Sequence, residues 1–108
     1  MLSNERPKMI KHIVVWRLKE SAHGNDRATN ARLIKEKLES LKGKIPGLLA
    51  IEVGIDFART ENSDDIVLYS EFVSRAALDE YQSHPEHKAI MPFILEARQE
   101  RRMVDYEV

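Results

Sequence analysis

The chain has 108 residues, 43% of them apolar, with 17 lysines and arginines against 18 aspartates and glutamates and no cysteine. That length holds one domain with a real core and leaves much apolar surface exposed, which pairing with a second copy would bury. A net charge of −1 offers no field to draw nucleic acid or an anionic membrane, and the missing cysteines remove disulfides, thiolate nucleophiles and sulfur-ligated metals.

The first residues lack the apolar run of a secretory signal, and no segment is long enough to cross a bilayer, so a soluble, cytoplasmic protein without nucleic-acid or membrane partners is expected. Residues 1–8, polar and aperiodic around Pro7, read as a flexible tail, and residues 9–108 as a single domain. From Met9 to Leu18, the set Ile10, His12, Val14, Trp16 and Leu18 alternates with Met9, Lys11, Ile13, Val15 and Arg17. Both sets are rich in apolar side chains, which suits a strand inside a sheet covered on both sides. His12 then points into an apolar layer, where burial demands a hydrogen-bond partner.

A polar loop follows from Lys19 to Asn25. Asp26 can cap a helix whose apolar positions Ala31, Ile34, Leu38, Leu41 and Ile45 recur at three and four; Gly43 should end it, and Ile45-Pro46-Gly47 reverses the chain. Leu49, Ile51, Val53, Ile55 and Phe57 form one face of a second strand. Beyond a polar turn at Thr60 to Asp65, Ile66 to Val73 is a third strand, pairing with the second as a hairpin. Ser74 can cap a short helix with Ala77, Leu78 and Tyr81 on one side. Another helix runs from Pro85 toward Arg98 with Ile90, Phe93, Ile94 and Ala97 at helical spacing and Pro92 disturbing its early turns. The Arg98 to Arg102 cluster reads as the basic end of that helix, and Met103 to Val108 as a fourth strand.

The junction Tyr81-Gln82-Ser83-His84-Pro85-Glu86-His87 carries the chemistry. Proline disfavours helix in the residue before it and suits the first turn of a new helix, so two helices should meet here. Histidine titrates near neutrality and tyrosine donates a hydrogen bond without charge, so a junction holding Tyr81, His84 and His87 could move protons. The same residues could equally serve as caps and helix breakers. His84 and His87, three residues apart, could place two nitrogens toward one metal, but no further clustered ligand set accompanies them, and no metal or cofactor is expected. Serine nucleophile elbows, phosphate-binding glycine loops and dinucleotide fingerprints are absent.

Strand, helix, strand, strand, helix, strand builds an α+β, ferredoxin-like βαββαβ fold with an antiparallel sheet, the first and third strands central and the helices on one face. The other face, with Met9, Ile13 and Val15, stays bare unless a second subunit covers it.

Ile10-Lys11-His12-Ile13-Val14, Ile45-Pro46-Gly47, the paired-histidine junction from Tyr81 to His87, and the closing Val104-Asp105-Tyr106 resemble the stress-responsive A/B-barrel (Dabb) family over nearly the whole chain from Lys8. The resemblance implies a dimeric α+β barrel, in which the sheets of two ferredoxin-like subunits close face to face. It also implies a cleft between sheet and helices, used in olivetolic acid cyclase, a plant polyketide cyclase of that family, for histidine and tyrosine chemistry. Carried over, the catalytic histidine falls on His87, the tyrosine on Tyr81 and a first-strand pocket histidine on His12. That cyclase has a further pocket histidine where this chain has Ile66, so the same substrate is not expected.

Three readings follow. The chain is an enzyme, a cyclase, lyase or isomerase moving a proton on a carbonyl or polyketide-like compound; or a module binding a small apolar or aromatic ligand without turnover; or a structural homodimer. An open cleft lined by His12, Tyr81 and His87 separates the first two from the third.

Overall fold

The computed structural model describes residues 8–108. Apart from Lys8, the tail expected over residues 1–8 lies outside them. Nine elements follow in order: β1 (Ile10–Leu18), β2 (Ser21–Ala22), β3 (Asn25–Asp26), α1 (Arg27–Glu39), β4 (Leu48–Ile55), β5 (Ile66–Phe72), α2 (Arg75–Ser83), α3 (Pro85–Ala97) and β6 (Arg98–Glu107). The four long strands form one antiparallel sheet in the order β4-β5-β1-β6, so β1 and β5 are central as expected.

The period-two pattern of β1 decides which side of the sheet the helices cover. Ile10, His12, Val14, Trp16 and Leu18 are all buried, and they meet Ile66, Leu68, Ser70 and Phe72 of β5 on the same face. Helix α1 lays Ala31, Ile34 and Leu38 onto this layer, α2 adds Ala77, Leu78 and Tyr81, and α3 adds Ile90, Ile94 and Ala97. On the opposite face, among the described residues, nothing covers the sheet; Val104 and Tyr106 are 59% and 41% exposed there, beside Ile13 and Val15. No helix among the described residues is long and apolar enough to cross a membrane.

Caps at the helix starts match the sequence. Asp26 accepts a hydrogen bond from the Thr29 backbone N–H at 2.8 Å, and Ser74 accepts from Ala77 at 3.1 Å. Asp26→Ala should therefore cost about 1 kcal/mol in a denaturant titration, the usual loss for an orphaned helix-start donor, and Asp26→Asn far less. The end of α1 comes earlier than Gly43: the chain leaves the helix at Ser40 and tightens into three-residue turns, Leu41 N–H to Leu38 O and Lys44 N–H to Leu41 O, that keep Leu41 and Ile45 buried. Gly47 then takes φ +80°, and a Cβ there would lie 2.6 Å from the Ala77 Cβ. Only glycine lets the start of β4 pass this close to α2.

Three segments depart from the sequence expectation. The loop from Lys19 to Asn25 contains a small hairpin, β2 with β3, turned by His23 and Gly24 at φ 57° and 74°. Two successive positive φ values are what a tight two-residue hairpin turn requires. Its tip is held on α3, where His23 stacks on Phe93 at 4.0 Å between ring centres. In β4 the pairing register shifts between Leu48 and Ala50, so Leu49 swings out to 53% exposure while Leu48 packs against the core. Phe57, expected on the apolar face, lies past the strand end and is 94% exposed. Finally, the Arg98 to Arg102 cluster is not a helix end but the first half of β6, paired with β1 from Leu18 to Val15. Backbone pairing to a central strand outweighs the low strand preference of its charged side chains, which an edge strand can leave in water.

Candidate functional site

The α2–α3 junction pivots on His84, whose extended backbone (φ −65°, ψ 135°) both ends α2 and starts α3. Its Nδ1 accepts from the Glu86 backbone N–H at 3.1 Å, so this imidazole serves as a cap. Pro85 occupies the first position of α3, and two residues on, in the same turn, stands His87. Tyr81, in the last turn of α2, is 1% exposed and wedges its ring between Phe72, His87 and His12, at centroid distances of 5.0, 4.3 and 6.1 Å. The sequence-predicted trio His12, Tyr81 and His87 is thus brought together by β1, α2 and α3.

All three line one cavity of about 340 Å³ between sheet and helices, whose walls are otherwise mainly apolar: Val14, Leu38, Leu68, Ile94, Met91 and Met103. The two methionines are unbranched and repack at small cost, so this wall can yield to a ligand. A larger hollow of about 460 Å³ lies at the other end of the sheet among Arg17, Arg27, Arg59, Asp56 and Asp65. There Arg17 and Arg27 already donate to the Ser63 and Leu18 carbonyls and lie 3.9 Å from Asp64 and Asp65, and Asp65 also accepts from the Leu18 N–H.

The histidines are oriented through Nδ1. His87 Nδ1–H donates to the Gln82 carbonyl at 3.3 Å, which leaves Nε2 as the ring's lone pair. Burial is the main cause that holds the His87 pKa below the usual 6.5, opposed by the Gln82 carbonyl and aided by the charges of His12 and Arg101. Burial therefore leads in keeping this imidazole neutral. His12 Nδ1 pairs with a carboxylate oxygen of Asp105, its direct cross-strand neighbour on β6, and the His12 carbonyl accepts from Ser70 Oγ at 2.9 Å. Burial raises the Tyr81 pKa well above the ordinary 10, so the phenol keeps its proton.

Two buried polar atoms of residues that line the cavity, Tyr81 Oη and Trp16 Nε1, have no hydrogen-bond partner. Leaving a buried donor unpaired costs about 1–3 kcal/mol, and such a group in a native fold calls for an explanation. The site can accordingly offer an O–H donor from Tyr81 and a neutral nitrogen base from His87, with a carboxylate-oriented imidazole at His12 beside them.

Reading the sequence by itself missed Asp105, Trp16 as a polar group, and Arg101. Asp105 could have been found by aligning β6 antiparallel to β1 and asking which residue satisfies a buried His12. Arg101 was out of reach while its segment was read as helix.

Over 93% of its length the chain is 34% identical to a dimeric protein of unknown function and ferredoxin-like fold from Bacteroides fragilis, covering 96% of that protein with a TM-score of 0.82. A Dabb family protein with a ferredoxin-like fold from Mesorhizobium loti is 24% identical, with 92% of this chain and 95% of that one covered and a TM-score of 0.69. The hydroxynitrile lyase of Passiflora edulis shares the fold at 17% identity, with 95% of both chains covered and a TM-score of 0.79. None of the curated proteins compared with the chain matches it. The family model of the stress responsive A/B barrel domain, Dabb, matches residues 10–108, and the chain belongs to that family.

Proposed function

We propose that the cavity binds a small, mainly apolar carbonyl compound and moves a proton next to its carbonyl group, as a cyclase, lyase or isomerase would. The observation that carries this is the meeting, in one cavity, of a Tyr81 hydroxyl held protonated without a partner and a half-buried His87 held neutral. In the reaction His87 Nε2 takes the proton from the carbon beside the carbonyl, and the C–H electron pair passes into the enolate. Tyr81 Oη donates a hydrogen bond to the carbonyl oxygen as negative charge develops there. His12, held by Asp105, orients the substrate or the base. That a lyase exists on the same fold in Passiflora edulis agrees with this reading by analogy of fold.

Deuterium exchange tests it without knowledge of the natural substrate. 4-Phenyl-2-butanone in deuterated water, followed by proton NMR, should lose its α-protons faster with the protein than with buffer alone. If the ketone binds, read from the fluorescence of the single tryptophan, Trp16, and no exchange is accelerated, the chain is a binding module. Absence of binding would leave the structural reading.

We further propose that the bare sheet face closes on a second copy. Ile13 and Val104 face each other across β1 and β6 on that side, and three neighbours of this fold, 20–34% identical, are described as dimeric. A barrel closed this way should bury at least about 1,200 Å² with an apolar centre. Light scattering after size exclusion should show twice the chain mass, and Ile13→Lys with Val104→Lys should shift it to a monomer. A wild-type monomer at micromolar concentration would remove the barrel.

A further inference from the structure

We infer that the ligand of this cavity carries an anionic group, a carboxylate or a comparable oxyanion, held by Arg101 together with the indole N–H of Trp16, the pair that face each other across β1 and β6. The inference rests on the proposed ligand-binding cavity and adds the chemical class that enters it.

Three successive cross-strand rungs of β1 and β6 on the helix-facing side are His12 with Asp105, Val14 with Met103, and Trp16 with Arg101. Five of these six residues line the cavity; Asp105 stands behind His12 as its carboxylate partner. The rungs grade along the strands from an acid–base end, through an apolar middle, to an end made of two donors. Four residue steps of strand separate His12 from Trp16, about 13 Å between their backbones. At the far end, Trp16 is 3% exposed and its Nε1 has no partner; an indole nitrogen can only donate, so what satisfies it must be an acceptor.

Arg101 supplies the charge. Among the described residues its guanidinium forms no ion pair or hydrogen bond, whereas Arg102, on the other face of β6, pairs with Glu100. The nearest carboxylate on its own face of β6, Asp105, is taken by His12. The positive charge of Arg101 is felt at both Tyr81 and His87, which places it in the same electrostatic compartment as the acid–base pair. A guanidinium and an indole N–H beside an apolar channel suit a carboxylate, whose two oxygens can accept from both. A neutral carbonyl oxygen could accept from Trp16 but would leave the Arg101 charge to water.

The test compares 4-phenylbutanoate with its neutral counterpart 4-phenylbutanamide by isothermal titration calorimetry at low and high salt. Wild type should bind the carboxylate roughly tenfold more tightly than the amide, in line with a charge-assisted contact, and the gap should narrow with salt. Arg101→Gln should remove that preference while leaving amide affinity within about twofold, and Arg101→Lys should restore part of it. Trp16→Phe, which keeps the ring but not the donor, should weaken the carboxylate more than the amide. Equal binding of both probes to wild type, or equal loss of both in Arg101→Gln, overturns the anion site and leaves the cavity reading standing. Failure of both probes to bind at millimolar concentration overturns the two together.

Discussion

His87→Ala is expected to slow ketone α-proton exchange by roughly 10²- to 10⁴-fold, the usual contribution of a positioned general base. Folding should change little, since His87 is only half-buried and its bond to the Gln82 carbonyl lies at the surface. The pH dependence follows from the same environment. Protonation destroys the Nε2 lone pair, and because the His87 pKa lies below 6.5, activity should hold down to pH 6.5 and fail only at more acid values. Tyr81 must keep its proton, and its raised pKa keeps the alkaline limb above pH 10. Tyr81→Phe should also lose activity, by about 10²-fold or more for one missing oxyanion donor. Yet its stability should stay equal or rise, because the hydroxyl it removes is buried without a partner. His84→Ala should keep turnover and lose only a helix-cap contribution. Equal exchange rates in wild type and His87→Ala, or an acid limb above pH 6.5, would exclude His87 as the base.

The largest loss of stability is expected at Trp16. It is 3% exposed in the layer between sheet and helices, and truncation to alanine would remove a large aromatic from a core that already holds a cavity beside it. The cost should be about 3–5 kcal/mol, less where neighbours collapse into the space. For a chain of this size that corresponds to a fall in Tm on the order of 15 °C. Trp16→Phe should cost far less, because it keeps most of the apolar area and deletes an unsatisfied N–H. A Tm for Trp16→Ala within a few degrees of wild type would mean that this face of β1 does not pack against the helices.

What was legible in the sequence was whatever periodicity writes directly. The alternation of β1 turns His12 toward an apolar layer, and the proline at the α2–α3 junction sets Tyr81 and His87 on adjoining helices, while their meeting with His12 in one pocket is what the resemblance to the Dabb family implies. The segments that escaped are those where long-range pairing overrides local preference. Arg98 to Arg102 has the composition of a solvated helix end, but β1 has an unpaired edge there and takes it as a strand. Leu49 leaves the apolar face because of a one-residue register shift, which sequence alternation cannot reveal. His23-Gly24 was a readable signal, since glycine in a two-residue link between short segments suits a tight hairpin, but its flanks are too short to alternate. For the site, the missing part was the β6 register: it supplies Asp105 to His12 and sets Arg101 opposite Trp16.

The central claim, that the cavity of His12, Tyr81 and His87 takes a carbonyl compound in a reactive pose, is tested most directly by a crystal structure with 4-phenyl-2-butanone bound. The account predicts the ketone inside the cavity, its oxygen about 2.7–2.8 Å from Tyr81 Oη and an α-carbon about 3–3.5 Å from His87 Nε2. A saturated crystal in which the ketone lies elsewhere, with Tyr81 Oη bonded to protein and side chains filling the cavity, would contradict it.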